Sequence, residues 1–163
     1  MTAINHVGMT VPDLEQGIAW YTEVFGLTLL AGPIQCDLST RGADRRKQIF
    51  GEQWGVMRIA HLGADNRAGI ELFQFLEPET TTPDDPFPFA SVGLHHVAIT
   101  VDDFEGTLER ILARGGTKRC TPSEIYGGVL VCYTQDPWGN VVEVTNADYP
   151  RLADATTVTS ATE

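Results

Sequence analysis

Four residues stand out as able to do chemistry: His6, Glu71, His96 and Glu143. Each glutamate lies inside an otherwise apolar segment, Gly69-Ile70-Glu71-Leu72-Phe73 and Val141-Val142-Glu143-Val144-Thr145. A carboxylate in such a setting is costly unless it is paired or coordinates a metal. Each histidine opens a short run of β-branched and small residues, His6-Val7-Gly8-Met9-Thr10-Val11 and His96-Val97-Ala98-Ile99-Thr100-Val101. Two imidazoles with two carboxylates suit one divalent transition metal, Zn, Ni, Co, Mn or Fe(II). They are too rich in nitrogen for a dedicated Ca or Mg site.

These residues are set out by a repeat. With a shift of 90 positions, His6 falls on His96, Thr10 on Thr100, Val11 on Val101, Asp13 on Asp103, Glu15 on Glu105 and Gly26 on Gly116. Glu71 and Glu143 are 72 positions apart, so the first copy holds 90 − 72 = 18 extra residues, placed within 32–53. A His/Glu pair written twice in a duplicated module carries more weight than a lone strand histidine, which is usually structural.

The elements needed to position them follow the same grammar in both copies. Strands are expected over 4–11 and 94–101, ending at Asp13 and Asp103, whose carboxylates suit helix N-caps. Helices follow, with Leu14, Ile18, Tyr21 and Phe25 at helical spacing in one and Phe104, Leu108, Ile111 and Leu112 in the other. Three strand-like stretches complete each copy: 27–31, 55–62 and 68–76, then 117–120, 128–134 and 141–146. Each module is therefore β-α-β-β-β, and the fold class is α+β. Strand alternation puts His6, Gly8 and Thr10 on one face, as it does His96, Ala98 and Thr100. It gives Glu71 the companions Phe73 and Phe75 as apolar cavity walls, and sends His95 to the face opposite His96. His61 has no counterpart in this reading.

The expected organisation is a first module over 1–76 and a proline-rich linker over 77–90. A second module over 91–148 and a disordered tail over 149–163 follow, all forming one domain. The formal charge of −11 disfavours binding to a nucleic-acid backbone. Cys36, Cys120 and Cys132 are odd in number and widely spaced, and they read as buried free thiols. No basic-then-apolar leader opens the chain, and no apolar run approaches the roughly 20 residues of a membrane span. A cytoplasmic chain without membrane partners is expected.

The motifs His6-Val7-Gly8-Met9-Thr10-Val11-Pro12-Asp13, Trp20-Tyr21-Thr22-Glu23-Val24-Phe25-Gly26-Leu27 and Asp136-Pro137-Trp138-Gly139-Asn140-Val141-Val142-Glu143 resemble the vicinal oxygen chelate superfamily. That superfamily includes glyoxalase I, methylmalonyl-CoA epimerase, extradiol dioxygenases and bleomycin- or fosfomycin-resistance proteins. Gly93-Leu94-His95-His96 with Val101-Asp102-Asp103 is particularly similar to the epimerase branch. The resemblance implies two modules set edge to edge as an incomplete barrel around the metal, often in a homodimer. It also implies open coordination positions that chelate vicinal oxygens of a small carbonyl substrate.

Four protein ligands favour a glyoxalase- or epimerase-like lyase or isomerase over an Fe(II) extradiol-type oxygenase or a non-catalytic resistance protein. In that chemistry the metal stabilises an enediolate or enolate, and Glu143 or Glu71 is the base. Two departures stand out: Glu71 where the epimerases usually have glutamine, and no recognisable glutathione-binding pattern. Trp54, Arg58, Tyr126 and Tyr133 are further candidates for the pocket, beside Phe73 and Phe75. The basic stretch 41–48 reads as a solvated loop.

Overall fold

The fold comes from a computed structural model that describes residues 2–83, 87 and 89–161. Positions 84–86 and 88 of the expected linker, and 162–163 of the expected tail, lie outside the described residues. Two compact units, Met1–Pro83 and Asp84–Glu163, make up the chain.

The first unit runs β1 (His6–Thr10), α1 (Leu14–Phe25), β2 (Thr28–Cys36), α2 (Ala43–Phe50), β3 (Val56–Gly63) and β4 (Gly69–Glu77). Its sheet has the order β1-β4-β3-β2, with β1 parallel to β4 and the other neighbours antiparallel. Asp13 starts α1 by accepting a hydrogen bond from the Gln16 amide at 2.9 Å, and Gly26 ends it in the left-handed conformation at φ 72°. The buried stripe Leu14, Gly17, Trp20, Tyr21 and Val24 faces the sheet. At Gly17 a Cβ would meet the Val11 side chain at 2.9 Å and Leu72 at 3.3 Å, so helix and sheet approach more closely than any larger residue allows. Val11, Leu62 and Leu72 are almost wholly buried beneath this helix. Each such side chain contributes about 1.5–3 kcal/mol of burial.

The second unit runs β5 (Val97–Thr100), α3 (Phe104–Ala113), β6 (Thr117–Lys118), β7 (Ser123–Glu124), β8 (Leu130–Gln135), β9 (Val141–Thr145) and α4 (Tyr149–Ala161). Sheet order is β5-β9-β8-β6, with β7 also paired to β8 and β5 parallel to β9. Asp103 caps α3 through the Gly106 amide at 3.0 Å. β9 is buried along its whole length, whereas β4 alternates.

Two expectations are corrected. The tail is not disordered through 149–161, because α4 forms there. Asp148 accepts from the Arg151 amide at 3.1 Å, and Ala155 packs with Val129, Ala147 and Leu152. Small residues such as Ala155 hide that anchoring in the sequence. The basic stretch is not a loop but mostly α2, held by Phe50, whose ring meets those of Phe73 and Phe75 at 6.0 and 5.3 Å. The two-residue β7 was not expected.

Candidate functional site

Register explains how each histidine meets its glutamate. Gly8 pairs with Glu71 in the parallel β1–β4 ladder, and Ala98 pairs with Glu143 in the parallel β5–β9 ladder. In both units the histidine lies two residues before the partner of the glutamate; His6 opens β1, so alternation puts its side chain on the Glu71 face, whereas His96 precedes β5 and is placed by its direct contact with Glu143. His6 Nε2 lies 3.4 Å from a Glu71 carboxylate oxygen, and His96 Nε2 lies 2.9 Å from a Glu143 oxygen. The other face is apolar and covered by the helix in each case.

The distal imidazole nitrogens are also held. His6 Nδ1 is 2.7 Å from Asn5 Oδ1, and His96 Nδ1 is 3.0 Å from His95 Nδ1. A hydrogen bond at one ring nitrogen fixes the tautomer and aims the other. With Nδ1–H donated to Asn5, Nε2 of a neutral His6 presents a lone pair towards an anionic oxygen. A proton or a metal cation between them relieves that opposition.

His95 was expected on the face opposite His96, but its ring touches that of His96 at 5.3 Å and that of Phe87 at 4.5 Å. β5 begins at Val97, so two-residue alternation does not govern positions 95 and 96.

The hairpins give His61 and the pocket candidate Tyr133 their partners. His61 lies directly opposite Glu71 across β3–β4, and Tyr133 lies directly opposite Glu143 across β8–β9. His61 thus has a counterpart after all, displaced by the same 72 positions as the glutamates. His61 Nε2 is 3.7 Å from the second Glu71 oxygen. The Tyr133 ring stands edge-on to His96 at 5.0 Å. Burial above all, and then the adjacent Glu143 carboxylate, push the Tyr133 phenol up to about 12, so it stays a neutral hydrogen-bond donor.

The turns setting these registers match too. Ala64 and Ala68 close one turn, with Arg67 at φ 67°, while Asp136 and Asn140 close the other, with Gly139 at φ 98°. Asp136 braces its turn by accepting from the amides of Trp138 and Asn140 at 3.0 and 2.8 Å.

The remaining pocket candidates divide. Phe73 and Phe75 share the Glu71 face, stacked at 6.1 Å with Phe50 against them. Trp54 is buried in the same aromatic cluster with Cys36 and Met57, under the Arg46 guanidinium, and its indole N–H has no hydrogen-bond partner. Arg58 does not belong to this face. It alternates with His61, projects towards α1 and makes a two-pronged pair with Glu15, one contact at 2.8 Å. Tyr126 is exposed beyond β7. Cys120 is exposed, contrary to expectation, while Cys36 and Cys132 are buried.

Within each unit one imidazole Nε2 and one carboxylate supply donors of the kind a borderline divalent metal takes. Among the described residues, no three His, Cys, Asp or Glu side chains are grouped so that they could hold a metal ion.

Comparison with known proteins follows the same line. The family profile described as the Glyoxalase/Bleomycin resistance protein/Dioxygenase superfamily matches residues 3–144. A 2-epi-5-epi-valiolone epimerase from Actinomyces sp is 30% identical over 150 residues, covering 88% of this chain and 79% of its own length. A lactoylglutathione lyase from Arabidopsis thaliana is 29% identical over 140 residues, covering 85% of this chain, which spans only 42% of that protein. The crystal structure of a glyoxalase family protein from Bacillus cereus superposes with a TM-score of 0.73 at 21% identity, over 89% of this chain and 93% of that one, a likeness of fold.

Proposed function

The chain belongs to the glyoxalase/bleomycin resistance protein/dioxygenase superfamily, and from that premise we propose that it is a metal-dependent lyase or isomerase of small carbonyl substrates. Its ligands in this reading are His6, Glu71, His96 and Glu143. One observation carries the proposal: the same His/Glu contact is built twice, at equivalent registers, with Nε2 turned to a carboxylate each time. A divalent metal held there supplies Lewis acidity to oxygens beside the reacting carbon.

The chain's own residues do the rest. Asn5 and His95 orient the imidazoles. Phe73 and Phe75 give the Glu71 face an apolar wall. A glutamate, Glu71 or Glu143, takes the proton from the carbon next to the carbonyl and returns it. The epimerase and lyase relatives support this class, since both names fit chemistry begun by moving such a proton. A homodimer is part of the reading. It is supported by edge strand β2, which exposes Leu29, Leu30 and Ile34, and sedimentation velocity tests it.

Two measurements test the function. Elemental analysis of protein purified without chelators is expected to find zinc, nickel or cobalt near one per chain. Iron together with oxygen uptake points instead to the oxygenase chemistry of the wider superfamily. Solvent deuterium is expected to enter the α-carbon of α-hydroxy ketones or hemithioacetals of 2-oxoaldehydes. Absence of both metal and exchange refutes the proposal.

A further inference from the structure

Cys120 and Cys132 stand close together within the second unit. The antiparallel β6–β8 ladder pairs Thr117 with Gln135 and Lys118 with Thr134. The Arg119 amide continues it by donating to the Tyr133 carbonyl at 2.8 Å, so one further step brings Cys120 level with Cys132. Contacts at both sulfurs agree. The Cys132 thiol donates to the Cys120 carbonyl at 3.5 Å, and the Cys120 sulfur accepts from the Tyr133 amide at 3.3 Å. Residues directly opposite one another in an antiparallel pair have Cα atoms about 4.5–5.5 Å apart, inside the roughly 4.4–6.8 Å that a disulfide spans. β6 ends at Lys118, so no ladder pairing holds the Cys120 backbone against a small adjustment.

We propose that Cys120 and Cys132 are a reversible redox pair, in which Cys120 is oxidised by a hydroperoxide and Cys132 resolves the product into a disulfide. This stands independently of the metal-dependent reading. Access sets the order of events: Cys120 is exposed and Cys132 is buried, so an oxidant from solvent meets Cys120 first. The Cys120 thiolate attacks one peroxide oxygen and the O–O bond breaks. The other oxygen leaves as hydroxide and takes up the proton that the thiol gave, forming water. The Cys132 sulfur then attacks the sulfenic sulfur of Cys120. The S–S bond forms, the S–O bond breaks, and the departing hydroxide takes the Cys132 proton. In sum, two thiols and one hydrogen peroxide give one disulfide and two waters. Burial pushes the Cys132 thiol up to about 12, and its fixed nearness to the reacting sulfur offsets the small thiolate fraction.

The test treats the reduced, folded full chain with hydrogen peroxide and follows it by mass spectrometry. The intact chain is expected to lose two hydrogens. Iodoacetamide labelling of Cys120 is expected to be lost and to return after dithiothreitol. Cleavage after Glu124 puts the two cysteines on separate peptides, which are expected to stay joined until reduced. Cys36, buried in the first unit, is expected to remain a thiol. In urea, where no fold selects a partner, Cys36 is expected to enter disulfides as well.

Two variants separate the steps. In Cys132→Ala the resolving sulfur is gone, and dimedone is expected to trap a sulfenic acid at Cys120. In Cys120→Ser, a surface change, Cys132 is expected to stay reduced under the same peroxide. Should Cys132→Ala fail to fold, the unsubstituted chain and Cys120→Ser still decide. The inference is overturned if the unsubstituted folded chain accumulates sulfenic or sulfinic acid at Cys120 beside a free Cys132. It is equally overturned by disulfides between chains in place of the internal one, by Cys36 entering disulfides as readily as in urea, or by a Cys120 that peroxide leaves unchanged.

Discussion

Replacing Glu143 by glutamine keeps the shape of the side chain and removes its charge, so the loss can be worked out in the two metal states. Without metal, the variant loses the charge-assisted part of the 2.9 Å contact with His96, about 1 kcal/mol. For 163 residues the unfolding entropy is about 0.34 kcal/mol/K, so the melting midpoint falls by about 3 °C. With metal at one hundred times Kd, the unsubstituted chain gains about 2.7 kcal/mol, or about 8 °C. Loss of a ligand lowers affinity at least by the roughly 100-fold that loss of an orienting partner reaches at its upper end. At the same metal concentration the variant then keeps about 0.4 kcal/mol, a shift of about 1 °C. Thermal melts of chelator-treated protein titrated with Co(II), Ni(II) and Zn(II) measure both quantities. His6→Ala, His96→Ala and Glu71→Gln are expected to lose the metal-dependent shift in the same way. A Glu143→Gln chain that melts several degrees higher with metal, as the unsubstituted protein is expected to, would refute the ligand assignment.

Other expectations concern the scaffold around the pairs. Asp13→Ala removes the carboxylate that caps α1 and should cost about 1 kcal/mol in urea unfolding; an unchanged midpoint contradicts the capping role. Glu15 is held below its usual value of 4.5, chiefly by its hydrogen bond from Arg58. The stability it lends is complete above that value and is lost as pH falls through the lowered one. Arg58→Met should therefore flatten the fall in melting temperature between about pH 5 and pH 3. Equal slopes in the two proteins would show that the pair adds nothing. Iodoacetamide should label Cys120 alone in the folded chain, because Cys36 is buried and burial, with Cys120 alongside, pushes the Cys132 thiol up to about 12. Mass spectrometry showing Cys132 labelled as fast as Cys120 would contradict this.

What the sequence made legible is what repetition and two-residue alternation control. The βαβββ order, the capping aspartates and the shared face of His6 and Glu71 all follow from local pattern. What stayed hidden depends on where a strand starts or what packs across it. His95 was misplaced because β5 starts at Val97. Arg58 was misplaced because an aliphatic stem with a charged head looks the same on either face, and only Glu15 on α1 shows which one it takes. α4 escaped notice because its anchors, Ala155 against Val129 and Ala147, are too small to make an apolar stripe. The Tyr133–Glu143 partnership was within reach. Applying the glutamate offset of 72 positions to His61 lands on Tyr133, a step that looking for like residues in like places does not suggest.

The 18 extra residues of the first copy show how the site constrains the fold. A one-residue slip in either ladder would turn a glutamate to the helix side and separate it from its histidine. The β3–β4 and β8–β9 hairpins therefore carry turns of equal length, each with a left-handed residue at the matching position, Arg67 or Gly139. The parallel ladders hold Gly8 to Glu71 and Ala98 to Glu143 without reference to the chain between them. An insertion between β2 and β3 leaves every one of those pairings untouched, and α2 lies there. Length can vary at that point because the register is fixed elsewhere. There the first copy gained Phe50 against Phe73 and Phe75, changing what covers its glutamate face without moving the glutamate.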